Sequence, residues 1–365
     1  MTNRIKVLHY IPGFKFGGIE SRMIEVFKGI DKTKYQLDFL ILTSLDNYLV
    51  EEIKANGGNV FQVPSFSPKN IISHINGLKK VLSDNKYDII HSHSAATGFV
   101  LLWLAKKQNI KGRIIHARTS SFAGSSLPKL RMLLQKIAIY YSTYKLAVSQ
   151  KAGDWAFGGK KFSVIPNSID LEKFAYNIKQ RNEVHKFYNL DNKNVFGHIG
   201  RKTYAKNHKF LFEIFAQIIE EKPNSVLLLV GVDDKDQNLN DWITEFAIAD
   251  NVVFCGYQED VSKYHSAMDV LIFPSFYEGF PGTLVEAQAS GLKCYCSDVI
   301  TKEVSLTENI EFISLNADAK VWASKIIKSM ANPNRRSYIE EIKNKGFSIE
   351  ATVQKFEELY SDAIQ

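Results

Sequence analysis

Short apolar runs alternate with longer amphipathic segments along nearly the whole chain. In the first half the runs are IKVLHYI, QLDFLIL, NVFQV, YDIIHSH, GRIIHA, YKLAVS and FSVIP; in the second half they are NVFGHIG, SVLLLVG, NVVFCG, DVLIFPS, KCYCSD and IEFISL. Strand-length runs separated by helix-length stretches imply βαβ units and parallel sheets covered on both faces. A run such as SVLLLVG, apolar almost throughout, suits a strand buried on both sides. The polar stretch 167–193 interrupts the alternation after Pro166, and a fresh β–loop–α start follows at Val195. The pattern predicts an α/β chain of two doubly wound, Rossmann-like domains facing a cleft. The first covers residues 1–170, a linker or hinge region follows at 171–193, and the second covers 194–345. Residues 346–365 form a terminal helix that can pack back on the first domain, capped by Ser348 with Glu350 in its first turn.

Composition narrows the class. A chain of 365 residues is long for one core and fits two domains. With 45% hydrophobic and 23% charged residues it has the make-up of a water-soluble protein. The three cysteines, Cys255, Cys294 and Cys296, are few, odd in number and set in apolar runs, which argues for a reducing compartment over a disulfide framework. Cys294-x-Cys296 has no His or Cys nearby to complete a metal site. The amino terminus runs straight into a strand without a signal-peptide pattern, and the longest apolar run, TGFVLLWLA, is shorter than the ~20 residues a spanning helix needs. The expectation is a cytoplasmic chain, soluble or peripheral on the inner face of the membrane. Its charge is uneven: residues 1–170 carry 24 Lys+Arg against 11 Asp+Glu, the remainder 22 against 28. The basic half is therefore expected to meet something anionic.

Ligands of open α/β sheets lie beyond the carboxyl ends of the strands. Three loops there carry candidate chemistry. PGFKFGGIE (residues 12–20) follows the first strand, and Gly17 and Gly18 open a helix whose start offers N–H groups to an anion. Taken alone, the pair is better explained as a tight turn needing positive φ. In HIGRKTYAKNHKF, Arg201 and Lys206 stand at a strand end and near a helix start, two cations suited to a diphosphate. In FPSFYEGFPGTLVEAQASG, Glu278 and Glu286 flank a glycine-rich turn. Thr283-x-x-Glu286 reads on its own as a capping box and Glu278 as a solvent-facing acid. Beside Arg201 and Lys206, however, a carboxylate can accept sugar hydroxyls while the amides of Gly282 and Thr283 meet phosphate. Asp234-x-Asp236 reads as a solvated loop and not as a metal-binding pair.

These motifs resemble those of the retaining glycosyltransferases of family 4, which have the two-domain GT-B architecture. The match runs through GGIE, YDIIHSH, VIPNSID, HIGRKTYAKN, LLLVG and, most specifically, VVFCGYQEDVSKYHSAMDVLIFPSFYEGFPGTLVEAQASG. The stretch EGFPGTLVEAQASGLKCYCSDVITKEVSL is most similar to enzymes of bacterial capsule, exopolysaccharide and O-antigen assembly. The resemblance makes Glu278 and Glu286 the family's paired glutamates. It implies that Glu286 holds the ribose hydroxyls and that Glu278 lies by the donor sugar. Phe280, Pro281, Gly282, Thr283 and Leu284 would line the donor site, and Arg201 and Lys206 would neutralise the diphosphate without a metal. Gly17 and Gly18 would approach the donor from the other domain. His116 matches the family's histidine near the reacting centre, with His93 a weaker match, and Asn167 belongs to the hinge signature. Ser168 replaces the usual Gly after that asparagine, and Lys293-Cys294 the usual Pro-Val.

The resemblance further implies a nucleotide-diphosphate sugar donor, expected to be a uridine-diphosphate sugar, with no cofactor or metal. The implied acceptor is a polyprenyl-diphosphate-linked saccharide at an anionic membrane surface. Residues 126–146 combine Lys129, Arg131, Lys136 and Lys145 with Leu, Ile and Tyr, which suits equally an interfacial helix or a core helix with a basic edge. No nucleic-acid-binding signature is present. A nucleotide-sugar epimerase of the same architecture, or a non-catalytic sugar-nucleotide binding protein, are the alternatives. Neither is expected to need the paired glutamates together with both cations.

Overall fold

The computed structural model describes residues 4–12, 18–42, 47–94, 96–330 and 335–365, without the side chains of residues 18–22 and 47–49. The chain divides into two units: Met1–Ser168 with Phe347–Gln365, and Ile169–Gly346. Each of the thirteen apolar runs contains a strand.

The first unit is a seven-stranded parallel sheet of β1 (Ile5–Tyr10), β2 (Tyr35–Ile41), β3 (Val60–Gln62), β4 (Ile89–Ser92), β5 (Gly112–Ala117), β6 (Tyr144–Ala147) and β7 (Ser163–Val164), in the order β3-β2-β1-β4-β5-β6-β7. The register sets His9 of β1 beside His91 of β4. The terminal helix Ile349–Ala363 belongs to this unit; Ser348 Oγ accepts the Ala351 N–H at 3.3 Å, and Val353, Phe356 and Tyr360 enter the core that holds Phe27, Phe39, Ile89 and Ile114. Gly29 makes the close approach possible, because a Cβ there would lie 2.9 Å from Val353 Cγ2.

The second unit is a six-stranded parallel sheet of β8 (Asn194–Ile199), β9 (Ser225–Val230), β10 (Val252–Gly256), β11 (Val270–Phe273), β12 (Lys293–Ser297) and β13 (Ile310–Ile313), in the order β10-β9-β8-β11-β12-β13. β9 is buried at every position. The helix His208–Glu221 buries Leu211, Phe212, Phe215 and Ile218 against this sheet's core. Residues 171–193, expected as a linker, lie within this unit and contain the helix Ile178–Tyr188. Polar contacts hold that helix: Arg181 Nη2 lies 2.8 Å from Asp269 Oδ1, and His185 Nε2 donates to the Ala267 carbonyl at 2.9 Å. An apolar periodicity therefore could not reveal it. The three cysteines are free and buried, and burial pushes the Cys255 thiol up to about 12. No helix among the described residues is long and apolar enough to cross a membrane.

Candidate functional site

In the second sheet the strand order reverses between β8 and β11, the place where open α/β folds bind ligands. The loops leaving these two strands carry most of the candidate residues. Past β8, Arg201 is exposed and makes no ion pair among the described residues. Lys206 ends a 3-10 turn, Tyr204–Lys206, and its stem folds back over Gly200, where a Cβ would sit 2.9 Å from Lys206 Cε. Lys206 Nζ lies 2.8 Å from Glu278 Oε1 and 4.3 Å from the centre of the Phe273 ring. Both side chains are under a fifth exposed, so solvent screens the pair less than it would a surface pair. Ser275 Oγ donates to the same Glu278 oxygen at 3.2 Å. The two loops are bound together: the Phe276 N–H donates to the Ala205 carbonyl at 2.8 Å, Asn207 Nδ2 to the Pro274 carbonyl at 3.1 Å, and the Tyr204 and Phe276 rings stack at 5.0 Å.

The helix Gly282–Ala289 follows, with Pro281 at its N-cap. Thr283 is its second residue, so the capping-box spacing does not apply and Glu286 is not the reciprocal cap. Instead Glu286, 7% exposed, accepts a hydrogen bond from His265 Nε2 at 3.2 Å. A helix start leaves its first amides without intrahelical partners, and here these are the amides of Gly282 and Thr283. Phe280, Pro281 and Leu284 are buried, so their side chains pack inward and the loop offers a ligand its backbone. The sheet edge thus gathers two cations, two carboxylates and a helix start. Of the pair expected in a solvated loop, Asp234 is exposed there, while Asp236, at the end of the loop, is half-buried: it caps the helix Gln237–Glu245 by accepting the Leu239 N–H at 3.2 Å and pairs with Lys202 Nζ at 2.7 Å.

The remaining candidates belong to the first unit. Gly17 lies outside the described residues, and Gly18 opens the helix Gly18–Gly29. His116 is fully buried near the end of β5, within a cluster the sequence did not announce. His9, His91 and Tyr360 join it from three elements, and His93 and Arg118 from the loops after β4 and β5. Arg118 Nη2 lies 2.8 Å from His93 Nδ1, and Arg118 Nη1 donates to Asn167 Oδ1 at 2.7 Å. Burial, reinforced by the Arg118 cation, pushes His9 down to about 3; burial first, then neighbouring rings and Arg118, hold His91, His93 and His116 well below the usual imidazole value. These shifts favour neutral rings at neutral pH. His9, His91 and His93 lie close enough to share a metal ion, yet both nitrogens of each ring are within hydrogen-bond distance of a protein group, and Arg118 opposes a further cation. A small cavity with room for about one water adjoins the cluster, lined by Met23, His116, Arg118, Asn167, Ser168 and Phe356.

Also in the first unit, the helix Pro128–Tyr141 buries Gln135, Ala138 and Ile139. Helical spacing puts Leu130, Leu133, Ile137 and Tyr140 on the opposite side. There Leu133 is 54% and Tyr140 71% exposed, with Lys129 and Lys136 along the edge and Lys106 Nζ 5.0 Å from the Tyr140 ring centre. No Asp or Glu occurs between Asp88 and Asp154.

This fold, with two cations and two carboxylates at the switch point, is that of a sugar-transferring enzyme. Residues 16–173 match the family model Glycosyltransferase Family 4, and residues 180–346 match Glycosyl transferases group 1. The chain belongs to the family 4 glycosyltransferases and is an enzyme of that class. It is similar to EpsF of Bacillus subtilis (strain 168), with 29% identity over 99% of this chain and 97% of that protein. It is also similar to the UDP-Gal:alpha-D-GlcNAc-diphosphoundecaprenol alpha-1,3-galactosyltransferase of Escherichia coli, with 26% identity over 99% and 98%. Among solved structures, Anabaena HepE in complex with UDP-glucose superimposes with a TM-score of 0.81 at 18% identity, covering 98% of this chain and 100% of that one. That likeness establishes the GT-B fold.

Proposed function

We propose that the chain transfers a sugar, with retention of configuration and without a metal, from a uridine-diphosphate sugar to a polyprenyl-diphosphate-linked saccharide in bacterial surface-polysaccharide assembly. The observation that carries this reading is Lys206 held 2.8 Å from Glu278 at the switch point, with Arg201 and the Gly282 helix start on the same sheet edge. Breaking the anomeric C–O bond leaves negative charge on the departing diphosphate. Arg201, Lys206 and the amides of Gly282 and Thr283 stabilise it in this reading. Glu278 keeps Lys206 oriented and accepts hydroxyls of the donor sugar, while Glu286, fixed by His265, accepts those of the ribose. With the leaving group so stabilised, the acceptor hydroxyl attacks from the leaving-group face as the C–O bond to the diphosphate breaks, and its proton passes to the departing phosphate oxygen; attack on that face retains configuration.

Two relatives support the choice of substrates. HepE is crystallised with UDP-glucose, and the Escherichia coli enzyme is named for a UDP-galactose donor and a diphosphoundecaprenol acceptor. Such an acceptor is anchored in lipid. The outward apolar face of Pro128–Tyr141, edged by lysines in an acid-free stretch, fits an anionic bilayer on the inner face of the cell membrane. The deciding experiment incubates the protein, in chelator, with labelled uridine-diphosphate sugars and a polyprenyl-diphosphate saccharide. Labelled lipid product with the donor's anomeric configuration supports the proposal. Label released only as free sugar, or transfer only after a divalent cation is added, contradicts it.

A further inference from the structure

The cluster around His116 is one unbroken line of hydrogen bonds across β1, β4, β5 and the terminal helix, and its direction is fixed at one end. A guanidinium can only donate. Arg118 reaches His93 Nδ1 from Nη2 at 2.8 Å and from Nε at 3.2 Å, so that nitrogen carries the lone pair and neutral His93 bears its proton on Nε2. His93 Nε2–H faces His9 Nδ1 at 2.9 Å, which puts the His9 proton on Nε2, 3.2 Å from the Tyr360 oxygen. Tyr360, having accepted that bond, donates its own proton to His91 Nδ1 at 2.9 Å. His91 Nε2–H then faces His116 Nδ1 at 3.2 Å. The last proton stands on His116 Nε2, a buried nitrogen that reaches no side-chain acceptor among the described residues and has only a weak backbone contact, to Ile165. Reversing any one link sets two protons or two lone pairs against each other.

We propose that this line is a tautomer lock: Tyr360, a positioning residue on the terminal helix, holds His116 as a neutral Nε2–H donor and bars it from accepting a proton there. The role in transfer rests on the reading that sets His116 near the reacting sugar. His116 then offers a hydrogen bond to a ligand oxygen, a sugar hydroxyl or a phosphate oxygen, and is not the base that deprotonates the acceptor. The depressed pKa values of all four rings agree with a neutral line at physiological pH.

The test is long-range nitrogen–proton NMR on the full chain with ¹⁵N-labelled histidine, the His116 signals being those lost in His116→Gln. The expected result at neutral pH is a protonated Nε2 and an unprotonated Nδ1. A proton on Nδ1, a charged ring or a mixture of tautomers would overturn the proposal. Tyr360→Phe should turn His91 and His116 into tautomer mixtures and lower kcat several-fold with the donor KM unchanged. A lowered melting temperature with the His116 tautomer intact would make Tyr360 merely structural and sink the lock. Should that variant not fold, Arg118→Met, which removes the donor from the other end, should release the same tautomers. The tautomer is read without any turnover, so failure to find transfer would overturn the proposed function and leave this inference to its own result.

Discussion

Lys206 pairs with Glu278 in the structure, and in the reaction we propose it would also meet the departing diphosphate. Lys206→Ala removes the cation that the proposed mechanism gives to the leaving group and deprives Glu278 of its ion-pair partner. We expect kcat to fall about 10²-fold or more, by analogy with loss of a charge-stabilising donor, while unfolding stays cooperative; single-turnover kinetics beside a urea titration would check both. Glu286→Gln keeps an oxygen for His265 but loses the charge, so the donor KM should rise about tenfold with kcat less affected, the size of one charge-assisted hydrogen bond. An unchanged KM would confine Glu286 to packing. The placement of the two glutamates and two cations beyond the strand ends of one sheet was legible in the sequence. The groups that orient them, Ser275 on Glu278 and His265 on Glu286, were not, because His265 comes from another element and no local pattern links it to Glu286. The capping-box reading failed for a local reason: the N-cap is Pro281, two residues before Thr283, and the helix is already under way at Gly282.

Strands were the most legible elements, since a strand covered on both faces must be apolar nearly throughout, as β9 is. The helix Ile178–Tyr188 was illegible because ion pairs and a histidine hold it, and it buries only Val184 and His185. The terminal helix shows how an element distant in sequence completes a core. Phe356 is 2% exposed among the aromatic rings of the first unit, and Phe356→Ala should destabilise that unit by about 3–5 kcal/mol, read as a shift in its urea midpoint. The helix Pro128–Tyr141 makes a different prediction. Flotation with phosphatidylglycerol vesicles should carry the protein up at low salt, and Lys129→Glu with Lys136→Glu should abolish this without changing stability. Equal binding to phosphatidylcholine alone, or none to either, would remove the membrane face from the account.

Across the whole molecule, neutral buried histidines link stability to pH. His9 titrates near 3 and His208 near 4 when folded, and His91, His93, His116 and His198 also sit well below the ordinary value of 6.5. Their unfolded forms take up protons first, so this contribution is complete above 6.5 and is lost as the pH falls from there toward the folded values. Each such histidine costs up to about 1.4 kcal/mol of stability per pH unit in that window. The melting temperature should therefore be nearly flat on the alkaline side of 6.5 and drop steeply on the acid side; a flat profile through the acid range would mean the histidines are not buried neutral. The two-domain plan was legible from the alternation of runs alone. The histidine line was not, because its members lie far apart in sequence and meet only through the sheet order and the returning terminal helix.

The proposed function stands or falls on a donor site at the β8–β11 switch point that needs no metal. Saturation-transfer NMR of the purified chain with a panel of nucleotide-sugars, in chelator and without acceptor, tests it most directly, with Arg201→Ala/Lys206→Ala as the control. Selective saturation of a uridine-diphosphate sugar, lost in the double variant, is the expected result. Equal signals from the chain and the double variant, or binding that appears only with a divalent cation, would contradict it.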